Sequence, residues 1–354
     1  MFHSYLEHTS RFLSNDIGID LGTANTLVYL RGRGIILNEP SVVALNQKTG
    51  RVVAVGNDAR AMLGRTPPHI AVVKPLVDGV ISDFEVAEEL VGYLISRAQQ
   101  NSRKPLGPRV VVGVPSGITN VETRAVRDAA RNAGARSVHI IEEPMAAALG
   151  IRLPVREPVG SMIVDIGGGT TDIAVISLGG IVAARNIRVA GEKLNADIIG
   201  YVRDEFKMLV GEKTAEDIKI SIGTLREEEH ERTESPVRGR DLMTGLPREM
   251  MMTASDVREA IAQSIETIIE ATKEVLETTP PEVLADVMRR GMYLCGGGAL
   301  LRGLPELFEE WLKIPVHVVD DPLTAVARGT GVVLEDIAAH EDMLVAGDDA
   351  LPPQ

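Results

Sequence analysis

Short unbroken apolar runs alternate along this chain with longer stretches in which apolar residues recur every three to four positions. That alternation predicts buried strands with helices laid on them, an α/β layer architecture. Val110-Val-Val-Gly-Val114 reads as a buried strand. Residues 121–132 read as a helix, with Glu122 in the first turn to suit the dipole and Gly134 ending it. A long amphipathic helix is expected to start at Ser255 as N-cap, with Ile261, Ile265, Ile268 and Ile269 forming a core stripe. Between residues 38 and 75, short strands (Ser41-Val-Val-Ala-Leu45 and Val52-Val-Ala-Val55) flank turn signals such as Thr49-Gly50. Residues 226–252 are polar, rich in charge, Pro and Gly, and contain a Met250-Met-Met252 run.

The pattern repeats. Ile19-Asp-Leu-Gly-Thr-Ala-Asn-Thr26 reads against Val164-Asp-Ile-Gly-Gly-Gly-Thr-Thr171, which aligns Asp20 with Asp165 and Thr26 with Thr171. Val138-His-Ile-Ile-Glu-Glu-Pro-Met-Ala-Ala-Ala148 reads against Val316-His-Val-Val-Asp-Asp-Pro-Leu-Thr-Ala-Val326. Two matches in the same order predict a duplication, with two similar α/β halves. The spacing between copies is longer for the second match, which places the larger insertion in the second half, near residues 226–252.

Composition narrows the class. At 354 residues the chain suits two domains, and 44% hydrophobic content supports sizeable cores. Aromatic residues make up only 3%, so those cores are built from Val, Ile, Leu, Ala and Met. A net charge of −13 with no visible basic face argues against nucleic acid as a partner. The lone Cys295 lies in an apolar run and reads as a small buried hydrophobe in a reducing compartment. No stretch approaches the roughly 18 apolar residues of a spanning helix, and no signal peptide is evident, so the expectation is a cytosolic protein.

Three glycine-bearing turns follow apolar strands: Asp20-Leu-Gly-Thr-Ala-Asn25, Asp165-Ile-Gly-Gly-Gly-Thr170 and Gly296-Gly-Gly-Ala299. Glycine lets backbone N–H groups approach phosphate oxygens, although a lone Gly-Gly-Gly reads more often as a flexible turn. There is no Gly-x-x-x-x-Gly-Lys-Ser/Thr loop, which excludes a P-loop, and no Gly-x-Gly-x-x-Gly follows the first strand. Asp20 and Asp165 each end a buried strand just before such a turn. A carboxylate beside phosphate needs a cation between them, and Mg²⁺ meets that need. The plainer alternative is that each Asp satisfies turn N–H groups. Glu142 and Glu143, at the end of a strand and ahead of Pro144, are equal candidates for a catalytic acid on the residues alone. Either also suits a helix N-terminus, as does the counterpart Asp321.

These motifs, with the Pro115 segment, Gly296-Gly-Gly-Ala-Leu-Leu-Arg-Gly303 and Thr324-Ala-Val-Ala-Arg-Gly-Thr-Gly331, resemble in order the five sequence blocks of the actin, sugar kinase and heat-shock chaperone superfamily. Their spelling resembles the MreB family of bacterial actin-like proteins. The matching stretches include Glu39-Pro-Ser-Val-Val-Ala44, Val114-Pro-Ser-Gly-Ile-Thr119 and Arg188-Val-Ala-Gly191, and the likeness spans roughly residues 16–340. It implies an actin-like (duplicated RNase H-like) two-domain fold with a nucleotide cleft between the lobes. Expected boundaries are a 1–14 amphipathic segment, lobe I at 15–154 plus 325–345 (insertion about 38–75), lobe II at 155–324 (insertion about 192–254), and a disordered tail at 346–354. By the same resemblance, Thr23, Ala24, Asn25, Gly167, Gly168 and Gly169 hold the phosphates of ATP. Asp20 and Asp165 hold Mg²⁺ through water. Gly296, Gly297, Gly298 and Ala299 pack on the adenosine, and Glu212, Lys213, Glu216, Asp217, Ile218 and Lys219 line the ribose or adenine. Without the family, that last stretch shows only a helix with Thr214 as N-cap and Asp217 three residues on. Glu143 is implied as the base that polarises the attacking water, with Thr170 as its partner.

In the first thirteen residues Phe2, Tyr5, Leu6, Phe12 and Leu13 fall on one helical face. The family likeness favours an interfacial membrane helix, the alternatives being a docked terminal helix or a frayed tail. Only Arg11 is basic there, so polymer avidity would have to strengthen lipid binding. A second candidate lipid contact is Leu106 beside Arg103 and Lys104, which reads equally as a solvated loop. The expectation is therefore a slow ATPase that polymerises with itself. It would sit peripherally on the inner membrane face, meeting lipid and the membrane proteins of wall elongation. A sugar kinase lacks an announced sugar pocket here, and the length leaves no room for a chaperone's substrate domain. A nucleotide-binding scaffold that barely hydrolyses remains a third reading.

Overall fold

The computed structural model describes residues 14–100, 106–226 and 233–346. These fall into two compact units, one within residues 1–159, 176–181 and 323–354, the other within 160–175 and 182–322. The predicted segments at Phe2, Tyr5, Leu6, Phe12 and Leu13 lie outside the described residues, as do Arg103 and Lys104.

The first unit is built on β1 (Ile17–Leu21), β2 (Asn25–Leu30), β3 (Gly34–Pro40), β9 (Arg109–Val114) and β10 (Ser137–Glu142), in the order β10-β9-β1-β2-β3. β1, β9 and β10 run parallel, β2 runs antiparallel to β1, and β3 runs antiparallel to β2. Parallel strands covered on both faces read as continuous apolar runs, which is why Val110-Val-Val announces itself. Between β3 and β9 lies an insertion, β4 (Val43–Asn46) paired with β5 (Arg51–Val55) and β6 (Ile70–Val73), carrying helix α1 (Asn57–Ala61). A tight hairpin, β7 (Leu76–Val77) and β8 (Val80–Ile81), then leads into α2 (Phe84–Gln99), whose Leu90 and Leu94 are fully buried. Helix α3 (Asn120–Asn132) starts on a full capping box, Thr119 with Glu122, and ends before Gly134 at φ 97°.

Two further helices, α4 (Glu143–Gly150) and α10 (Ala325–Glu335), pack backbone to backbone. A Cβ at Gly329 would stand 1.7 Å from the Ala146 carbonyl oxygen, and one at Gly150 would stand 2.0 Å from that of Ala325. The alanines and glycines of Met145-Ala-Ala-Ala148 and Arg328-Gly-Thr-Gly331 are thus a packing requirement. α10 also presses on β1, where a Cβ at Gly18 would meet Thr330 Oγ1 at 2.1 Å.

The second unit repeats the scheme. β11 (Ser161–Ile166), β12 (Thr171–Ser177), β13 (Gly180–Ile187), β17 (Met292–Cys295) and β18 (Val316–Val318) are ordered β13-β12-β11-β17-β18. Substituting each strand by its repeat partner reproduces the order of the first sheet. The duplication read from Asp20/Asp165 and the two acid-acid-Pro segments is therefore a duplication of topology. Its insertion comprises α5 (Gly191–Phe206), β14 (Met208–Leu209), α6 (Glu212–Ile222), β15 (Glu234–Asp241) and β16 (Pro247–Thr253), with β14-β15-β16 as a small antiparallel sheet. Helix α7 (Ala254–Thr278) buries Ile261, Ile265, Ile268 and Ile269 as the period predicted. Each such side chain contributes about 1.5–3 kcal/mol relative to exposure. α8 (Pro281–Arg290) and α9 (Leu304–Leu312) complete the unit, and Cys295 is fully buried.

Three local expectations are corrected. The N-cap of α7 is Thr253, not Ser255. Thr253 ends β16 in extended conformation, as an N-cap requires, and forms a capping box with Asp256. The N-cap of α6 is Gly211, not Thr214, which lies inside the helix. Asp321 does not start an α-helix as Glu143 does. It sits at φ 51° ahead of a 3₁₀ turn, Pro322–Thr324, so the two acid-acid-Pro copies diverge in backbone just after the strand.

Candidate functional site

Each unit places its repeat aspartate one residue before the end of its central strand. In the first, Asp20 of β1 lies in register with Gly113 of β9, which in turn pairs with Ile141 of β10. The Glu143 side chain lies over Gly113, where a Cβ would be in ordinary contact with Glu143 Cγ at 3.7 Å and crowded by Val326 Cγ1 at 3.0 Å. Glu143 is buried in the first turn of α4. Glu142 goes elsewhere, its Oε1 accepting from Gly117 N at 3.3 Å. Geometry thus separates two acids that the residues alone left level.

Among the described residues the Asp20 carboxylate receives no hydrogen bond and faces no cation. Burial without a partner pushes it up to about 7, from an ordinary 3.8. Thr23, in the turn that follows, is buried, and its Oγ1 accepts from Gly79 N in the β7–β8 hairpin at 3.0 Å. Its own hydroxyl hydrogen is left to donate. Ala24 and Asn25 complete the turn.

In the second unit Asp165 of β11 is buried, and the Gly296–Gly298 run is pressed on the end of that strand. A Cβ at Gly296 (φ 76°) would lie 2.3 Å from Asp165 Oδ1, and one at Gly298 would lie 2.2 Å from Ile166 Cγ2. These glycines are close-contact positions rather than a flexible turn; Gly297 and Ala299 continue them as a 3₁₀ turn. The Gly167–Thr170 turn closes on itself through Gly167 N to Thr170 O at 2.9 Å, with Gly168 and Gly169 between and Thr170 buried.

The 212–219 stretch divides. Lys213 pairs with Asp217 in an exposed i,i+4 contact at 2.6 Å, while Ile218 is a core residue whose side chain offers nothing to a ligand. Lys219 is mostly buried, its Nζ donating to Gly191 O at 3.0 Å and to Glu216 at 2.8 Å. Asn195 Nδ2 donates to the same Glu216 carboxylate at 2.6 Å. Glu212 opens α6. Sequence reasoning assigned no part to Gly79, Gly113 or Asn195, and quoted Gly191 only as the end of a family motif, because their parts are set by contacts distant in the chain.

Leu106 is partly exposed, next to residues outside the description, and bridges to Ser14. Among the described residues no helix is long and apolar enough to cross a membrane, and no group of three or more His, Cys, Asp or Glu forms a metal cluster.

A duplicated α/β pair of five-stranded sheets, each with an aspartate ahead of a glycine turn and each carrying an inserted subdomain, defines the actin-like fold. The MreB/Mbl protein family model matches residues 14–342, and the chain belongs to that family. It is 51% identical to the cell shape-determining protein MreB of Escherichia coli (strain K12) over 92% of this chain and 95% of that one. With the cell shape-determining protein Mbl of Bacillus subtilis (strain 168) it shares 48% identity over 92% of this chain and 97% of the relative. The structure also superposes on the crystal structure of MreB5 of Spiroplasma citri bound to ADP. That match has a TM-score of 0.87 and 41% identity, covering 92% of this chain and 97% of the other.

Proposed function

We propose that this chain binds Mg-ATP, hydrolyses it slowly, and forms membrane-associated filaments that organise wall synthesis and cell shape. The observation that carries the nucleotide part is Asp20, a half-buried carboxylate with no cationic or hydrogen-bonding partner among the described residues. A divalent cation restores the charge balance there. The ADP named with the Spiroplasma relative supports a nucleotide as the group that brings it.

In this reading Asp20 and Asp165 would hold a Mg²⁺ ion, which would supply charge neutralisation for the phosphates. Thr23, Ala24 and Asn25 of one unit and Gly167, Gly168 and Gly169 of the other contact phosphate through N–H groups and the Thr23 hydroxyl. Gly296–Ala299 with Glu212, Lys213, Glu216, Asp217 and Lys219 face the nucleoside, and Ile218 supports that wall from the core. Glu143, fixed at the start of α4, accepts a proton from a water oriented with Thr170. The water oxygen bonds to the terminal phosphorus as the bond to the bridging oxygen breaks, giving ADP and phosphate. Holding a general base in place contributes about 10²–10⁴-fold.

The test is phosphate release by Glu143→Ala beside its ATP affinity. The proposal expects affinity within about threefold of wild type and release lower by about 100-fold or more. Release at the wild-type rate removes Glu143 from the reaction. A wild type that binds ATP and polymerises without measurable release, with Glu143→Ala unchanged, favours the scaffold reading. Self-association, lipid binding through Phe2 to Leu13 and Leu106, and contact with wall-elongation membrane proteins rest on the family.

A further inference from the structure

We infer that Ser41 is a positioning residue for the first glycine turn, through which the inserted β4-β5-β6 layer sets the shape of the turn at residues 22–25. That this turn receives phosphate rests on the function proposed above; the clamp itself does not.

Ser41 lies between β3 and β4 and has no solvent exposure. Its Oγ donates to Gly22 O at 2.5 Å. A hydroxyl has one hydrogen and a carbonyl only accepts, so Thr26 Oγ1, 2.8 Å away, must donate to Ser41. Ser41 N donates to Ala24 O at 3.0 Å. Two carbonyls of the turn are therefore held from behind by one residue. An anion is bound by N–H groups and repelled by carbonyl lone pairs, so a turn that receives an anion needs its carbonyls tied away.

The second unit does the same with other parts. Gly191 N donates to Gly167 O at 3.1 Å and Glu192 N to Gly168 O at 2.8 Å, while Thr171 Oγ1 donates to Val189 O at 2.7 Å. Thr26 and Thr171 are the matched threonines of the repeat. In both units the segment following the third strand grips the turn. In the second unit the grip is main chain, from the start of a long helix. In the first, one of the two bonds is main chain and the other, to Gly22 O, comes from the Ser41 side chain at the point where the insertion departs.

That point is also bonded to the insertion. Glu39 Oε2 accepts from Asn57 N at 2.9 Å and from Asn57 Nδ2 at 2.8 Å, at the start of α1. The approach is close enough that a Cβ at Gly56 (φ 65°) would lie 2.3 Å from the same oxygen. Pro40, with its fixed φ, joins the two gripping residues. Glu39-Pro40-Ser41 is thus a short stiff link with the insertion at one end and the turn at the other. Displacing the β4-β5-β6 layer draws Ser41 away from Gly22 O and frees that carbonyl.

Hydrogen exchange by mass spectrometry on the nucleotide-free full chain tests the link, with ATP and ADP affinities measured alongside. Ser41→Ala is expected to raise exchange about tenfold at residues 22–26, and to weaken both nucleotides about tenfold, the effect of one lost hydrogen bond. Glu39→Gln, which keeps the side chain's volume, is expected to raise exchange both at 57–61 and at 22–26. In the Ser41→Ala background it should no longer change 22–26. A merely structural role would spread the increase over β1, β9 and β10, and Glu39→Gln would alter only the insertion; either pattern overturns the inference. If Ser41→Ala does not fold, Glu39→Gln alone decides by its effect at 22–26. A wild type that binds no nucleotide would end the functional reading while leaving the exchange test intact.

Discussion

Replacing Asp20 by Asn keeps the shape of the side chain and removes its charge, and the structure sets both the sign and the size of the result. The carboxylate stands at about 7 in the fold against an ordinary 3.8, raised by burial alone. Because the folded value lies above the unfolded one, the folded chain holds the extra proton between those values. Its stabilising effect is complete below pH 3.8 and is lost as pH rises through 7. At about 1.4 kcal/mol per tenfold change in proton affinity, the gap corresponds to about 4 kcal/mol above pH 7. That is an upper limit, since Asp20 retains some contact with solvent. Other groups titrate in the same range, so the quantity to measure is the difference between Asp20→Asn and wild type. It comes from urea unfolding in EDTA without nucleotide, at half-unit steps from pH 5 to 8. The difference should grow with pH and reach about 2–4 kcal/mol in favour of the variant at pH 8. Saturating Mg-ADP should reverse the order, because only wild type gains the full stabilisation of a bound ligand. A variant less stable than wild type at pH 8 without nucleotide, or a difference independent of pH, refutes the desolvation argument.

Other outcomes follow from the same geometry. Gly329→Ala drives a methyl into the Ala146 carbonyl of α4, where neither backbone yields easily, and should cost about 3 kcal/mol or more in urea unfolding. Gly200→Ala, inside α5 with nothing within 4 Å, should instead stabilise by about 0.5–1 kcal/mol, seen as a rise in Tm. Gly113→Ala puts a methyl 3.0 Å from Val326 Cγ1, which must give, and in ordinary contact with Glu143 and the Ile19 carbonyl; it should cost about 1–3 kcal/mol in urea unfolding. Burial tends to raise the buried Asp16, but bonds from Arg109 and Ser14 outweigh it and hold the carboxyl below 3.8. Its stabilisation is present above that value and lost as pH falls through the folded pKa. Asp16→Asn, which leaves Arg109 without its carboxylate, should cost about 3 kcal/mol at pH 7 by thermal unfolding, and the cost should shrink as pH falls below 3.8.

The fold was legible because duplication writes itself twice. Asp20 with Asp165 and Thr26 with Thr171 mark equivalent strands and turns, and the continuous apolar runs mark sheets buried on both faces. Helix existence followed from period, as in the four isoleucines of α7. Helix starts were less legible, since Thr253 and Ser255 are both good caps by chemistry. The choice fell to the extended backbone inherited from β16, a fact of the neighbouring strand. Glycines misled in a different way. Gly296–Gly298 reads as loose in sequence yet is fixed by contact with Asp165 and Ile166. On the residues alone Glu142 and Glu143 stayed level; their different surroundings, Glu143 buried and Glu142 accepting from Gly117 N, are set by the fold. Ser41 was quoted within a family motif without a task, because its task is performed on Gly22, Ala24 and Thr26 of a different strand pair.

The most direct test of the central claim is sedimentation with negative-stain microscopy in Mg-ATP, with and without acidic liposomes. It compares the full chain with a chain lacking residues 2–13. The account predicts nucleotide-dependent filaments from both, and filaments coating liposomes only when residues 2–13 are present. A full chain that binds ATP yet stays monomeric at every concentration, with lipid or without, would contradict it.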